Sequence, residues 1–116
     1  MNPAAPQPAP VGEGRKVLPA VWQALALAGV GTPGVGVLIS SLCERAKAGE
    51  KKYGTPLKTD NGRDAFVDAF QEAQDAVMYL GQKVMEDPFN VVASELFSDA
   101  VDLAVRLAEV VEPPKF

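Results

Sequence analysis

The chain has 116 residues, of which 47% are hydrophobic and 22% charged, and its formal net charge is −4. This length suits a single domain, and the acidic balance argues against direct binding to nucleic acid or to an anionic membrane surface. Because the sequence contains no histidine and one cysteine, it excludes a disulfide framework, the usual Cys/His zinc site and histidine-based nucleophilic catalysis.

The first half of the chain predicts a tail and two helices. Residues 1–14 hold four prolines and two glycines, a composition typical of a disordered or extended tail, which leaves 15–116 as one domain. Apolar residues at helical spacing predict a first helix over 19–28, and a break rich in glycine and proline follows. A second helix is predicted over 35–52, ending where the next glycine and proline occur.

The second half predicts two further helices. Asn61 is the expected N-cap of the third, with Asp64 in the position of a capping-box acid, and the helix continues to about Met85. The fourth is predicted over 89–111 and is apolar around more than half of its circumference, so it needs neighbours on two sides. We therefore expect an all-α fold, a small bundle of about four helices completed by homo-oligomerisation. No run of about 18 apolar residues is present to span a membrane, and a cytoplasmic location is expected.

Charge is divided unevenly along the chain. Residues 15–58 carry a formal charge of +5 and residues 60–112 carry −9. This division favours packing of one half against the other, within the chain or between subunits, and it equally fits two separately solvated faces.

An acidic stripe on the third helix is the strongest candidate site. At roughly 100° per residue, Asp64, Asp68, Glu72 and Asp75 fall on one side of the helix, together with Tyr79. Successive acids are three or four residues apart and repel each other, and no lysine or arginine lies at that spacing from any of them. Three sources of neutralisation are open: Mg²⁺, which prefers carboxylate oxygens, water, or the basic side chains of Lys47, Lys51, Lys52 and Arg63.

The connection over 51–63 is a second candidate. It is basic, contains glycine and the aromatic Tyr53, and leads into a helix N-terminus, where unpaired amides and the helix dipole favour a phosphate group. The alternative is a tight connection in which Asn61 and Gly62 only shape a turn.

Several short strings carry a family resemblance. KYGTPL from Lys52, NGRDA from Asn61, DAFQEAQD from Asp68 and the pair Tyr79-Leu80 resemble small uncharacterised helical proteins of phages and prophages, over roughly residues 42–83. More distantly, Glu72-x-x-Asp75 with Tyr79 is similar to the second acidic motif of the MazG-like all-α nucleoside triphosphate pyrophosphohydrolases. The first acidic motif of that family, ExxE, has no match in the preceding helix.

The resemblance implies a Mg²⁺-dependent nucleoside triphosphate pyrophosphohydrolase that works as an oligomer. Glu72 and Asp75 would be its catalytic residues, and Asp64 and Asp68 would complete the metal shell. The expected nucleotide contacts are Lys51, Lys52, Tyr53, Arg63 and Tyr79. Two alternatives remain: a non-catalytic protein that sequesters a nucleotide or nucleotide-derived signal, and an acidic protein that docks on and inhibits a basic host protein. The sequence leaves open whether the protein is an enzyme.

Overall fold

A computed structural model describes residues 6–11, 13–29 and 32–112. It contains four α-helices, Leu18–Gly29 (α1), Pro33–Tyr53 (α2), Ala65–Glu86 (α3) and Val91–Val111 (α4), and no strand within those ranges. The predicted all-α class is confirmed. None of the described helices is both long enough and apolar enough to cross a membrane.

The chain forms two compact units. The first, the α1–α2 unit, consists of the described residues between 8 and 63, and the second, the α3–α4 hairpin, consists of residues 64–112 together with residues 6–7. The predicted division into a tail over 1–14 and one domain over 15–116 stays a prediction, and residues 1–5 and 12 of that tail lie outside the described residues.

The ends of α2 follow from its terminal residues. The helix begins at Pro33, two residues before the predicted start, because proline has no N–H to lose in a first turn and its fixed φ suits a helix. It ends at Tyr53, where Gly54 adopts a φ of 75° and donates its N–H to the Glu50 carbonyl at 2.8 Å. Glycine tolerates this left-handed conformation without a Cβ clash, so the predicted end of the helix is confirmed.

In the α1–α2 unit, the segment before α1 pairs with the segment after α2. The residue pairs joined by backbone or side-chain hydrogen bonds of 2.8–3.0 Å are Val17 with Leu57, Arg15 with Thr59, Val11 with Asn61, and Pro8 with Arg63. The order of these pairs shows that the two segments run antiparallel. The first residue of each pair therefore satisfies a polar group of a connection that would otherwise depend on water.

The N-terminus of α3 differs from the sequence prediction. The N-cap is Asp64, whose Oδ1 accepts from the backbone N–H groups of Phe66 at 2.9 Å and Val67 at 3.3 Å. The expected N-cap, Asn61, is wrong, because its Oδ1 accepts instead from the Arg63 N–H at 3.0 Å. Asn61 is buried and, with Gly62 at a φ of 80°, forms the turn that precedes the helix.

The α3–α4 hairpin is held by a short, well-capped connection. Residues 87–90 join the helices, and the Asn90 Oδ1 accepts from the Ala93 N–H at 3.0 Å, so α4 begins at Val91, two residues after the predicted start. The Asn90 side chain also donates to the Asp87 carboxylate at 3.3 Å. A connection this short makes the two helices antiparallel neighbours.

The two helices of the hairpin meet along residues spaced alternately by three and four. This spacing keeps one side of a helix facing its partner. The buried or half-buried residues in these positions are Phe70, Ala73, Val77, Leu80 and Val84 on α3 and Ala93, Phe97, Ala100, Ala104 and Leu107 on α4. At Gly81 the helices approach closely, since a Cβ there would lie 3.3 Å from Cε2 of Phe97. Much of the remaining apolar surface of α4 is left exposed.

Candidate functional site

The predicted acidic stripe lies on the side of α3 that faces away from α4. At roughly 100° per residue, Glu72, Asp75 and Tyr79 fall within about 60° of one another and opposite Val77, which belongs to the α4-facing side. All three are exposed. The periodicity of the sequence therefore identified a common surface for these side chains.

The two acids nearest the N-terminus of α3 have structural partners. Asp64 caps the helix, and its backbone N–H donates to the Gln7 Oε1 at 2.6 Å. The Gln7 Nε2 donates to the Asp64 carbonyl at 3.0 Å and to the Asp68 Oδ1 at 2.7 Å. Sequence analysis missed Gln7, because a lone glutamine in a proline-rich segment carries no signal of a partner about 60 residues away.

The described residues do not assemble a metal site. Within them, no three Asp, Glu or Cys side chains come together in a group that could hold a metal ion. Asp64 directs its Oδ1 to the backbone of its own helix. The Mg²⁺ shell of Asp64, Asp68, Glu72 and Asp75, expected from the acidic stripe and from the resemblance, stays a prediction.

The predicted nucleotide contacts belong to different units. Lys51, Lys52, Tyr53 and Arg63 lie in the α1–α2 unit, whereas Tyr79 lies in the α3–α4 hairpin. The Lys52 ammonium is 5.1 Å from the centroid of the Tyr53 ring, within cation–π distance, so these two exposed side chains already interact. The Arg63 guanidinium donates to the Pro8 carbonyl at 2.8 Å and therefore stabilises the pairing of the N-terminal segment.

A shallow depression of about 500 Å³ runs along α2 and is lined by Gly36, Val37, Ser40, Ser41 and Glu44. All five residues come from α2, so among the described residues no second element closes the depression over a ligand. Its polar side chains, Ser40, Ser41 and Glu44, belong to this one helix and do not surround a ligand as the polar groups of a small-molecule site do.

An exposed apolar strip runs along one side of α4. It consists of Val92, Leu96, Leu103 and Val110, each between 47% and 62% exposed, and is called the α4 stripe below. At roughly 100° per residue these side chains fall within about 40° of one another, about 100–140° around the helix from Phe97. The prediction that α4 is apolar around more than half of its circumference pointed to this surface.

Acidic residues border the α4 stripe on the side away from α3. By the same helical geometry this border contains Glu95, Asp99, Asp102 and the single base Arg106, all of them exposed. Glu95, Asp99 and Asp102 form no ion pair with a described residue. The hairpin thus presents aliphatic side chains beside free carboxylates, which suits a ligand that is both apolar and basic.

Comparison with known protein families, with curated proteins and with solved structures gave no match. The resemblance to phage proteins and to the MazG-like enzymes stays a prediction from the strings quoted above.

Proposed function

We propose that the α3–α4 hairpin is a protein-binding module that docks on a basic partner protein. The observation that carries the proposal is the α4 stripe with its acidic border. An exposed apolar strip rimmed by polar residues is typical of a protein–protein interaction site. Burial of side chains such as Leu103 against a partner lowers the free energy of the complex, because it removes apolar surface from water.

The charge of the hairpin specifies the kind of partner. Residues 64–112 contain eleven acidic and two basic residues, a formal charge of −9. Such a surface attracts a basic protein, accelerates the encounter and repels acidic proteins. By covering a cationic surface that the partner uses elsewhere, for example for nucleic acid, the hairpin would inhibit it.

Affinity capture with matched charge variants tests this function. The immobilised full chain should retain a basic protein from a bacterial extract at about 0.15 M salt and release it at about 1 M, because salt screens exposed charges. The double variant Asp99→Lys/Asp102→Lys should bind the purified partner at least about tenfold more weakly. The control Glu13→Lys/Glu50→Lys changes the net charge equally but lies in the α1–α2 unit, and it should bind like the original chain.

Two results would contradict the proposal. One is retention of a partner that is not basic. The other is equal loss of binding by both double variants, which would mean that only the total charge of the chain matters.

A nucleotide function is a second proposal, supported by the exposed face of α3. The side chains of Glu72, Asp75 and Tyr79 form no hydrogen bond or ion pair with a described residue, so their oxygens are available to a metal–nucleotide complex. Thermal unfolding with Mg²⁺ and a nucleotide panel tests it, because a ligand of the folded state raises Tm.

Analysis of each ligand afterwards separates the nucleotide alternatives. A pyrophosphohydrolase should show a Mg²⁺-dependent rise in Tm with cleaved ligand, and Glu72→Ala should abolish turnover. A sequestering protein should show the rise with intact ligand. No rise with any nucleotide would contradict both.

A further inference from the structure

We infer that the element bound by the α4 stripe is an amphipathic α-helix with lysine or arginine along one edge. This inference rests on the proposed function and specifies the shape of the bound partner. It follows from the length of the stripe, the spacing of its residues and the positions of its charges.

The stripe has the length and width of a helix contact. From Val92 to Val110 it extends over nineteen residues, or about 27 Å for the eighteen steps of 1.5 Å between them. It is one side chain wide, since its members share one narrow side of α4. An element that covers such a strip along its whole length must be straight and must repeat its own apolar residues at a similar period, as a helix does.

The spacing along this side of α4 is that of a helix-pairing seam. Residues 92, 96, 99, 103, 106 and 110 are separated alternately by four and three, the heptad spacing by which two helices stay in contact. Leu96, Leu103 and Val110 form one row of this seam. The other row contains Val92 followed by two charged residues, Asp99 and Arg106.

The two charged positions set the register of a bound helix. A partner must place a basic group opposite Asp99 and an acidic group opposite Arg106, since like charges at a seam are unfavourable. The neighbouring carboxylates of Glu95 and Asp102 favour further basic groups along the same edge. Polar residues in an apolar seam typically specify partner and orientation in this way.

Charge favours a basic helix over a second copy of this hairpin. A symmetric contact between two stripes would bring together two hairpins that each carry −9, and their mutual repulsion opposes association. A basic helix gains the same apolar contact without that repulsion.

The test uses a labelled synthetic peptide of three heptads. It has leucine in the seam positions, except for a lysine opposite Asp99 and a glutamate opposite Arg106, and it has lysine on the flanks. Its binding to the full chain is followed by fluorescence anisotropy. Leu103→Asp should weaken binding at least about tenfold, as expected for a residue near the centre of an interface. Val105→Asp is the matched control, because Val105 is equally exposed on the same helix but lies outside the stripe, and it should weaken binding less than about threefold.

Further variants and peptides serve as controls for folding and for charge. Circular dichroism establishes that each variant is folded, and Leu96→Ser serves as a second stripe variant. Replacing the peptide lysines by glutamate should abolish binding to the original chain, and Asp99→Lys should partly restore it. Equal effects of Leu103→Asp and Val105→Asp would overturn the inference.

The remaining outcomes separate this inference from the proposed function. If a lysine–glycine peptide that forms no helix binds as tightly as the helical one, the inference of a helical partner fails. The proposal of a basic partner protein is unaffected by that result. If sedimentation shows a dimer that Leu103→Asp converts to a monomer, a second copy occupies the stripe and the inference fails. The proposed function is judged by the capture experiment, which requires no helical partner.

Discussion

Substitution of Gly14 by alanine should lower the free energy of unfolding by about 1–3 kcal/mol. A methyl group at this position would overlap the carbonyl oxygen of Thr59 and lie 2.5 Å from its Oγ1, so the backbone itself must move. That movement would disrupt both hydrogen bonds between Arg15 and Thr59. Urea unfolding followed by circular dichroism measures the loss, and hydrogen exchange at the Thr59 amide should accelerate.

Gly49 provides the matched control for this prediction. It lies inside α2, and a Cβ built on it meets no atom within 4 Å. Gly49→Ala should therefore stabilise the protein by up to about 1 kcal/mol, because alanine is the better helix former. If both alanine variants unfold at the same urea concentration, the close approach of Gly14 to Thr59 is absent in solution.

The second large effect is expected from Val67→Asp in α3. Val67 is 1% exposed, so a carboxylate at this position loses its hydration. We expect the free energy of unfolding to fall by about 3 kcal/mol or more. This loss exceeds the small stabilisation that the helix dipole gives to an acid in the first turn. Thermal and urea unfolding measure this loss.

Met78→Asp is the control for that substitution. Met78 lies on the same helix but is 73% exposed, so the introduced carboxylate stays hydrated. The free energy of unfolding should then fall only by the difference in helix propensity, about 0.5–1 kcal/mol. Similar destabilisation by both variants would show that Val67 is not buried in the folded protein.

Helix content was predictable because it depends on local patterns. Apolar spacing located all four helices, and Gly54 marked the end of α2 as expected. The start of α3 was not predictable in the same way, because Asn61 and Asp64 are both good capping residues. In the folded chain the Asn61 Oδ1 accepts from the Arg63 N–H at 3.0 Å. The Asn61 carbonyl accepts from the Val11 N–H at 2.9 Å, a contact fifty residues apart in sequence that local patterns do not reveal.

The candidate site shows the same limit of local information. Periodicity correctly placed Glu72, Asp75 and Tyr79 on one side of α3, since a common side follows from helix geometry alone. It could not show that Gln7 binds Asp64 and Asp68, because that contact depends on the path of the N-terminal segment. The apolar excess of α4 was visible in the sequence, but the exposure of the α4 stripe depends on which side of α4 packs against α3.

The contact of Gln7 with α3 has a consequence for the order of folding. Its hydrogen bonds join residues 57 and 61 positions apart, and contacts of such separation close slowly because a long loop must be ordered first. During synthesis, α1 and α2 emerge from the ribosome before Asp64 emerges to bind Gln7. The helices of the α1–α2 unit therefore have time to form while Gln7 still lacks its partner, and the first turn of α3 should reach its final hydrogen bonding late.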